Sequence, residues 1–187
     1  MIGRLPKSLS VNGIDYPIRS DYRDCLLILE AFSDVDLSER EKTLVMLKCL
    51  YKSDDVLKEE NIQEACEKAV WFLNCGNTIN KPHTSKPLYD FEQDEQIIFS
   101  AVNKVAGTEI RNLEYLHFWT FLGFFNEIGE GVFSTVVSIR NKRNKGKPLE
   151  KWEKEYYQKN KEMIDIQRKY TKREQEQLDE LNRILGV

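Results

Sequence analysis

Histidine and cysteine, which often hold metal ions in proteins, are scarce in this chain of 187 residues. The histidines are His83 and His117, far apart in the sequence. No two cysteines have the close spacing of a zinc site; they are Cys25, Cys49, Cys66 and Cys75. We therefore expect no metal and no other cofactor, and an intracellular protein whose thiols are reduced and mostly buried.

A long apolar run is also absent, which argues against a membrane partner. A membrane-spanning helix needs about twenty mostly apolar residues. The most aromatic segment, NLEYLHFWTFLGFFNEIGEG at 112–131, is interrupted by His117, Asn126 and Glu127. The first residues, MIGRLPKSLSVNG, contain no apolar core of signal-peptide length. Motifs for a nucleophile with its base and for a phosphate-binding loop are missing too. We expect a protein that is not an enzyme.

Charge is abundant and unevenly distributed along the chain. Charged residues make up 32% and hydrophobic residues 41% of the sequence, as is typical of a soluble, helical protein. The formal net charge is -3, yet residues 141–173 contain twelve Lys or Arg against five Asp or Glu. The rest of the chain is therefore strongly acidic. This polarity predicts two differently charged surfaces, one of them able to meet an acidic partner.

Apolar periodicity predicts a mainly α-helical fold, with a single helical domain, a small N-terminal β-hairpin and a long charged C-terminal helix. In LSVNGIDYPI, the Asn12-Gly13 pair suits the positive φ angles of a type I′ turn. Ser38 and Glu41 have the spacing of a capping box. The predicted core helices cover residues 20–32, 37–51, 59–75, 90–107, the aromatic segment and 132–139.

The basic stretch RNKRNKGKP, which follows the last core helix, is predicted to be a loop. It ends the helical core domain, which we assign to residues 1–148, with a further loop near 77–88. A highly charged helix is then predicted from about Leu149 towards Leu185, and residues 149–187 are assigned to it.

The aromatic segment carries six large rings within eleven positions: Tyr115, Phe118, Trp119, Phe121, Phe124 and Phe125. Apolar residues surround nearly the whole helix, which favours a buried central helix with His117 as a core histidine. The small Thr120 and Gly123 predict close approach of a neighbouring helix. An exposed aromatic groove that grips a partner helix is the alternative, and an enzyme pocket ranks third.

A basic cluster follows this segment; it consists of Arg140, Lys142, Arg143, Lys145 and Lys147. Trp152 and Tyr156 come next, among further lysines. Basic residues interleaved with aromatic ones can hold phosphates and stack bases. Three glutamates within the same stretch, however, weaken the positive electrostatic potential of these basic residues. A solvated face, or a dock for an acidic protein, is therefore favoured over nucleic-acid binding.

Five segments together resemble one protein family. LYDFEQDEQIIF opens a helix, LHFW at 116–119 begins an aromatic segment, and Ile139-Arg140 precedes a polar loop and a Lys-rich helix that contains Tyr170. The NGIDYPI hairpin and the DYRDCLLI helix complete the pattern. They resemble the bacteriophage gene product fifteen family, found in siphophages and prophages of Gram-positive bacteria, although Phe118 stands where that family commonly has tryptophan. The C-terminal REQEQLDELNRILGV is longer than the resemblance leads us to expect.

The resemblance implies a tail-assembly chaperone, because the family's genes typically lie between those for the major tail protein and the tape-measure protein. Such a chaperone works in the cytoplasm of the bacterial host. It coats the helical tape-measure protein and recruits tail-tube subunits by reversible, non-covalent binding. The alternatives are a structural tail or virion component, and a nucleic-acid-binding protein that uses residues 140–173. Self-association is left open.

The resemblance and the residue chemistry together give a set of candidate partner-binding residues. Those that prove exposed among Tyr115, Trp119, Phe124, Trp152 and Tyr156 are predicted to contact the partner. Four cations are predicted to steer an acidic partner; they are Arg140, Lys142, Arg143 and Lys145. No catalytic, metal-binding or cofactor-binding residue is predicted.

Overall fold

The computed structural model describes residues 3–77, 86–167 and 169–185. Strands β1 (Ser8–Val11) and β2 (Ile14–Pro17) form an antiparallel hairpin. The helices are α1 Tyr22–Ser33, α2 Glu39–Leu50, α3 Glu59–Leu73, α4 Glu95–Ala106, α5 Phe118–Asn126, α6 Val132–Asn144, α7 Lys151–Lys159, α8 Lys161–Ile164 and α9 Lys172–Leu185. Short 3-10 turns lie at Asp54–Leu57 and Ile110–Asn112. The mainly α-helical fold with its N-terminal hairpin is confirmed. Most of the loop predicted near 77–88, including His83, lies outside the described residues.

The hairpin turn is held against α3. Asn12 and Gly13 both have positive φ angles, 50° and 77°, which confirms the expected turn. The Asn12 backbone N–H donates to Glu64 Oε2 at 2.8 Å, and its side-chain amide donates to the Glu60 carbonyl at 2.7 Å. A two-stranded hairpin is marginal alone, so these contacts explain how it persists here.

Helix α5 lies at the centre of the core, as its apolar circumference predicts. Phe118 and Phe121 are fully buried, and the ring of Phe121 stacks on that of Tyr22 with centroids 4.9 Å apart. The predicted close approach at Gly123 is wrong, because a Cβ built there meets no atom within 4 Å. The helix starts only at Phe118, because the residues before it are extended and pair with the chain preceding α1.

Helix α6 is longer than predicted and takes in most of the stretch that we expected to be a loop. No glycine or proline interrupts it before Gly146, whose φ of 64° ends the helix. The Gly146 N–H donates to the Arg143 carbonyl at 3.0 Å, and the Lys147 N–H donates to the Lys142 carbonyl at 2.8 Å. Most of the basic cluster therefore lies on a helix.

A charged C-terminal helix is present as α9, but the prediction of one continuous helix from Leu149 is wrong. The segment is interrupted at Asn160 and again after Ile164. The second break has a clear cause: the Arg140 side chain donates hydrogen bonds to the carbonyls of Met163 and Ile164, at 2.8 and 2.6 Å. Side chains thus satisfy carbonyl groups at the end of α8, and the chain continues extended.

Candidate functional site

Arg140, predicted to steer a partner, is a buried structural residue. Only 4% of it is exposed. Its guanidinium forms a two-pronged pair with Asp94, with N–O distances of 2.5 and 3.0 Å. It also donates to the Leu88 carbonyl at 3.1 Å. Because this charge is sealed inside the protein and fully paired, the prediction for Arg140 is corrected: it joins α4, α6 and α8 and does not face a partner.

Two further cations of the basic cluster are paired within the chain. Lys142 Nζ donates to both oxygens of the buried Glu153, at 2.7 and 2.8 Å. This hydrogen bond raises the pKa of Lys142 and lowers the pKa of Glu153. Arg143 pairs with Asp165 and lies 4.2 Å from the centroid of the Tyr157 ring. Lys145 is exposed and forms no ion pair with any residue that the structure describes.

The predicted aromatic residues contact different parts of the chain. The Tyr115 ring is 47% exposed, and its hydroxyl hydrogen-bonds Ser20 Oγ at 2.8 Å. Trp119 is half-buried, and its indole N–H donates to the Phe72 carbonyl at 2.8 Å. Phe124 is also half-buried, against the main core. None of the three is fully buried.

The other two predicted aromatic residues belong to α7. Trp152 is 51% exposed, and its indole N–H donates to Glu150 Oε2 at 2.9 Å. Tyr156 packs partly buried on the small apolar cluster that α6 and α8 share. Within the described ranges no ring contact joins these two to Tyr115, Trp119 or Phe124. The five side chains therefore do not form one continuous aromatic groove.

An apolar groove that the sequence analysis missed lies between α4 and the turn into α6. We call it the α4–α6 groove; its volume is about 350 Å³. Its apolar lining is Ile97, Ala101, Val105, Ile128, Val132 and Phe133. The signal was present in the sequence, because three of these residues recur every fourth position along α4. On its own, however, such a stripe is equally typical of a face packed in the core.

The exposure and rim of the α4–α6 groove suit a reversible contact. Val132, the first residue of α6, is 50% exposed. Glu127 and Glu130 line the rim together with Lys104, whose ammonium donates to the Glu130 carbonyl at 3.3 Å. An apolar floor with a charged rim is the usual pattern of a protein-binding surface. The groove can therefore take the apolar face of a helix.

His117 is a core histidine, as expected, and not a base at a cleft. One ring nitrogen, Nε2, lies 2.9 Å from the Pro6 carbonyl, and Nδ1 accepts from the Trp119 N–H at 3.1 Å. This arrangement requires the neutral ring with its proton on Nε2. Burial lowers the pKa of His117 and so favours that neutral form.

The described residues contain no group of three or more His, Cys, Asp or Glu placed to hold a metal ion. Nor does any of their helices have the length and apolarity to cross a membrane. Their cysteines are free thiols, of which Cys25 is fully buried.

The comparisons with known proteins give one family. The model of the family described as Bacteriophage Gp15 protein matches residues 1–166. The chain belongs to this family. No curated protein and no solved structure matches it. Membership suggests a phage structural or assembly-related protein. The match ends two residues after α8, so α9 lies beyond the part of the chain that defines the family.

Proposed function

We propose that this chain is a tail-assembly chaperone that binds the tape-measure protein of its phage. It acts by reversible, non-covalent binding in the host cytoplasm, has no enzymatic step, and helps tail-tube subunits such as the major tail protein to assemble. The observation that carries the proposal is the family match over residues 1–166. The chaperone role itself comes from the resemblance set out above.

The α4–α6 groove is the surface that we assign to the tape-measure protein. A long helical client presents apolar side chains along one face, and burying one such side chain contributes about 1.5–3 kcal/mol. A groove of about 350 Å³ holds only a few of them. Binding at one site is therefore weak, and several copies along the client are needed to cover it. Weak, repeated contacts suit a protein that has to be released as the tube forms.

The pairing within the basic cluster supports protein over nucleic acid as the partner. Arg140, Lys142 and Arg143 each meet a carboxylate of the same chain, at Asp94, Glu153 and Asp165. Nucleic-acid affinity depends on cations that are available to phosphates. Three of the five cations in the basic cluster are therefore already paired within the chain, which leaves Lys145 and Lys147 for a polyanion.

Co-expression with the tape-measure protein tests the proposed function. We expect tape-measure protein to remain soluble and to elute in a larger complex with this chain, and to become insoluble when this chain is omitted. An insoluble tape-measure protein, with this chain eluting alone, would contradict the proposal. Recovery of this chain from finished, purified tails would favour the structural-component alternative instead.

A further inference from the structure

A second groove runs along the outer side of α1, away from the α4–α6 groove. We call it the α1 groove; its volume is about 850 Å³, and a hollow of about 480 Å³ continues it past Leu27, Glu30 and Glu92. One wall is α1 with the loop that follows it. The other wall consists of the turn before α4 and the chain that leads to α9.

The charge that lines the α1 groove is strongly one-sided. Five carboxylates line the 850 Å³ groove, those of Glu30, Asp34, Asp36, Asp90 and Glu92, against the single ammonium of Lys169. The hollow that continues it adds Glu95 and two arginines, Arg23 and Arg111, which pair with Asp21 and Glu109. Glu30, Asp34 and Asp36 form no ion pair with a described residue. Carboxylates gathered around one concave surface raise its affinity for cations and speed their approach.

The floor of the α1 groove is apolar. Leu27 is 56% exposed, and Ala31 in α1 and Val35 just after it continue the apolar surface. An apolar floor between acidic rims matches one kind of ligand: a helix with an apolar face flanked by Lys or Arg. A polyanion or an anionic membrane would be repelled by the same rims.

Lys169 shows how the α1 groove accommodates a cation. Its Nζ lies 3.0 Å from Glu92 Oε2 and 3.3 Å from Asp90 Oδ2. Lys169 belongs to the chain between α8 and α9 and lies three residues beyond the end of the family match. One Lys from the same chain thus occupies part of a surface that still contains unpaired carboxylates.

We propose that the α1 groove binds a basic amphipathic helix of a partner protein. The helix lays its apolar face on Leu27 and Val35, and its Lys or Arg side chains meet the carboxylates, partly in competition with Lys169. A second copy of α9 fits poorly, because α9 has three basic against four acidic residues. This inference goes beyond the proposed function, because it holds whichever protein supplies the helix.

Fluorescence anisotropy of a synthetic peptide tests the proposal on the full-length chain. The probe is a labelled 14-residue helix of Leu and Lys, and its partner is the same peptide with Glu in place of every Lys. We expect saturable binding of the Lys peptide that weakens with added salt, and no binding of the Glu peptide. No saturable binding of the Lys peptide, or equal binding of both peptides, would overturn the proposal.

Matched variants then locate the contact. E30K/E92K should weaken binding of the Lys peptide at least about tenfold, because two attractive charges become repulsive. E155K/E162K changes the net charge equally on exposed residues outside the groove and should change binding less than about twofold. Equal weakening by both variants would show non-specific attraction to an acidic protein and would contradict the proposal.

Two single substitutions test the floor and the competing cation. L27Q should weaken binding, because it removes apolar surface without adding charge, whereas L44Q, at an exposed leucine of α2 outside the groove, should leave it unchanged. K169A should tighten binding, because it frees Asp90 and Glu92. Weaker binding of the Lys peptide by K169A would contradict competition between Lys169 and the peptide.

Circular dichroism of each variant checks that it is folded. The probe contains no tape-measure sequence, so its result does not depend on the co-expression result.

Discussion

The aromatic segment around α5 and the basic cluster of α6 were both predicted to provide partner-binding surfaces. They differ in how many of their side chains remain available to a partner. Side chains of the aromatic segment differ in exposure: Phe121 is buried, and Tyr115 is about half exposed. Three cations of the basic cluster pair with carboxylates of the same chain, and the pair of Arg140 with Asp94 is buried. Apolar spacing is a local property and predicts burial well, whereas the pairing of charges depends on distant residues.

The largest contrast is expected within α6, between two arginines only three positions apart. R140A should lower the free energy of unfolding by about 3–5 kcal/mol, because it leaves Asp94 buried and uncompensated. R143A should cost less than about 1 kcal/mol, because its pair with Asp165 is exposed to water. Urea unfolding of both variants measures the difference.

A double replacement sharpens the result for the buried pair. R140L/D94L removes both charges and should recover part of the stability lost in R140A. Equal stability of R140A and R143A would contradict the assignment of Arg140 as a structural residue.

A comparable effect is expected inside the aromatic segment. F121A should lower the free energy of unfolding by about 3–5 kcal/mol, because the stacked ring is lost from the centre of the core. F124A removes the same ring from a half-buried position and should cost clearly less. Thermal melting of the two variants compares them, and equal costs would show that α5 is not packed as described.

Acidification should loosen the start of α5. The pKa of His117 is lowered by burial, so below the ordinary histidine pKa of about 6.5 the unfolded chain binds the proton more readily than the folded one. Stability due to His117 is therefore full above that pH and is lost as the pH falls towards the lowered value. Protonated Nδ1 can no longer accept from the Trp119 N–H.

His117→Asn is the control for this pH dependence. Asn is a good helix N-cap and does not titrate, so the variant should lose less stability than the parent between pH 7 and pH 5. Unfolding curves at both pH values measure this. A parallel loss in both proteins would assign the acid sensitivity to other groups.

The smallest effect is expected outside the part of the chain that defines the family. Ending the chain after Thr171 removes α9, whose Leu178 and Leu181 stay exposed. The first turn of α9 contacts the body through the Lys172 N–H, which donates to Asp36 Oδ1 at 2.9 Å. We expect a change below about 0.5 kcal/mol in the free energy of unfolding, as for other surface changes. A large loss in a urea titration would show that α9 stabilises the core.

Much of the fold could be predicted from local sequence signals. The Asn12-Gly13 turn and the Ser38–Glu41 capping box are each specified within a few residues, and both are found. Arg140 could not be predicted as a structural residue, because its partner Asp94 is 46 positions away. The second break in the charged C-terminal segment has a similar origin, since Arg140 donates to the carbonyls of Met163 and Ile164, 23 and 24 positions away.

The two grooves were missed for a related reason. An apolar stripe such as Ile97, Ala101 and Val105 predicts an amphipathic helix but does not tell whether another element covers it. The carboxylates of the α1 groove come from positions 30–36 and 90–92, which the fold brings together. Exposed surfaces of this kind are a property of the tertiary structure.

The amount of tape-measure protein kept soluble by two matched variants tests most directly whether the α4–α6 groove binds it. V132D places a carboxylate at the exposed first residue of α6, where the helix dipole tolerates it. V70D makes the same change at an exposed valine of α3 outside the groove. We predict that V132D loses the soluble complex and that V70D retains it. Equal retention by both would contradict a role for the α4–α6 groove.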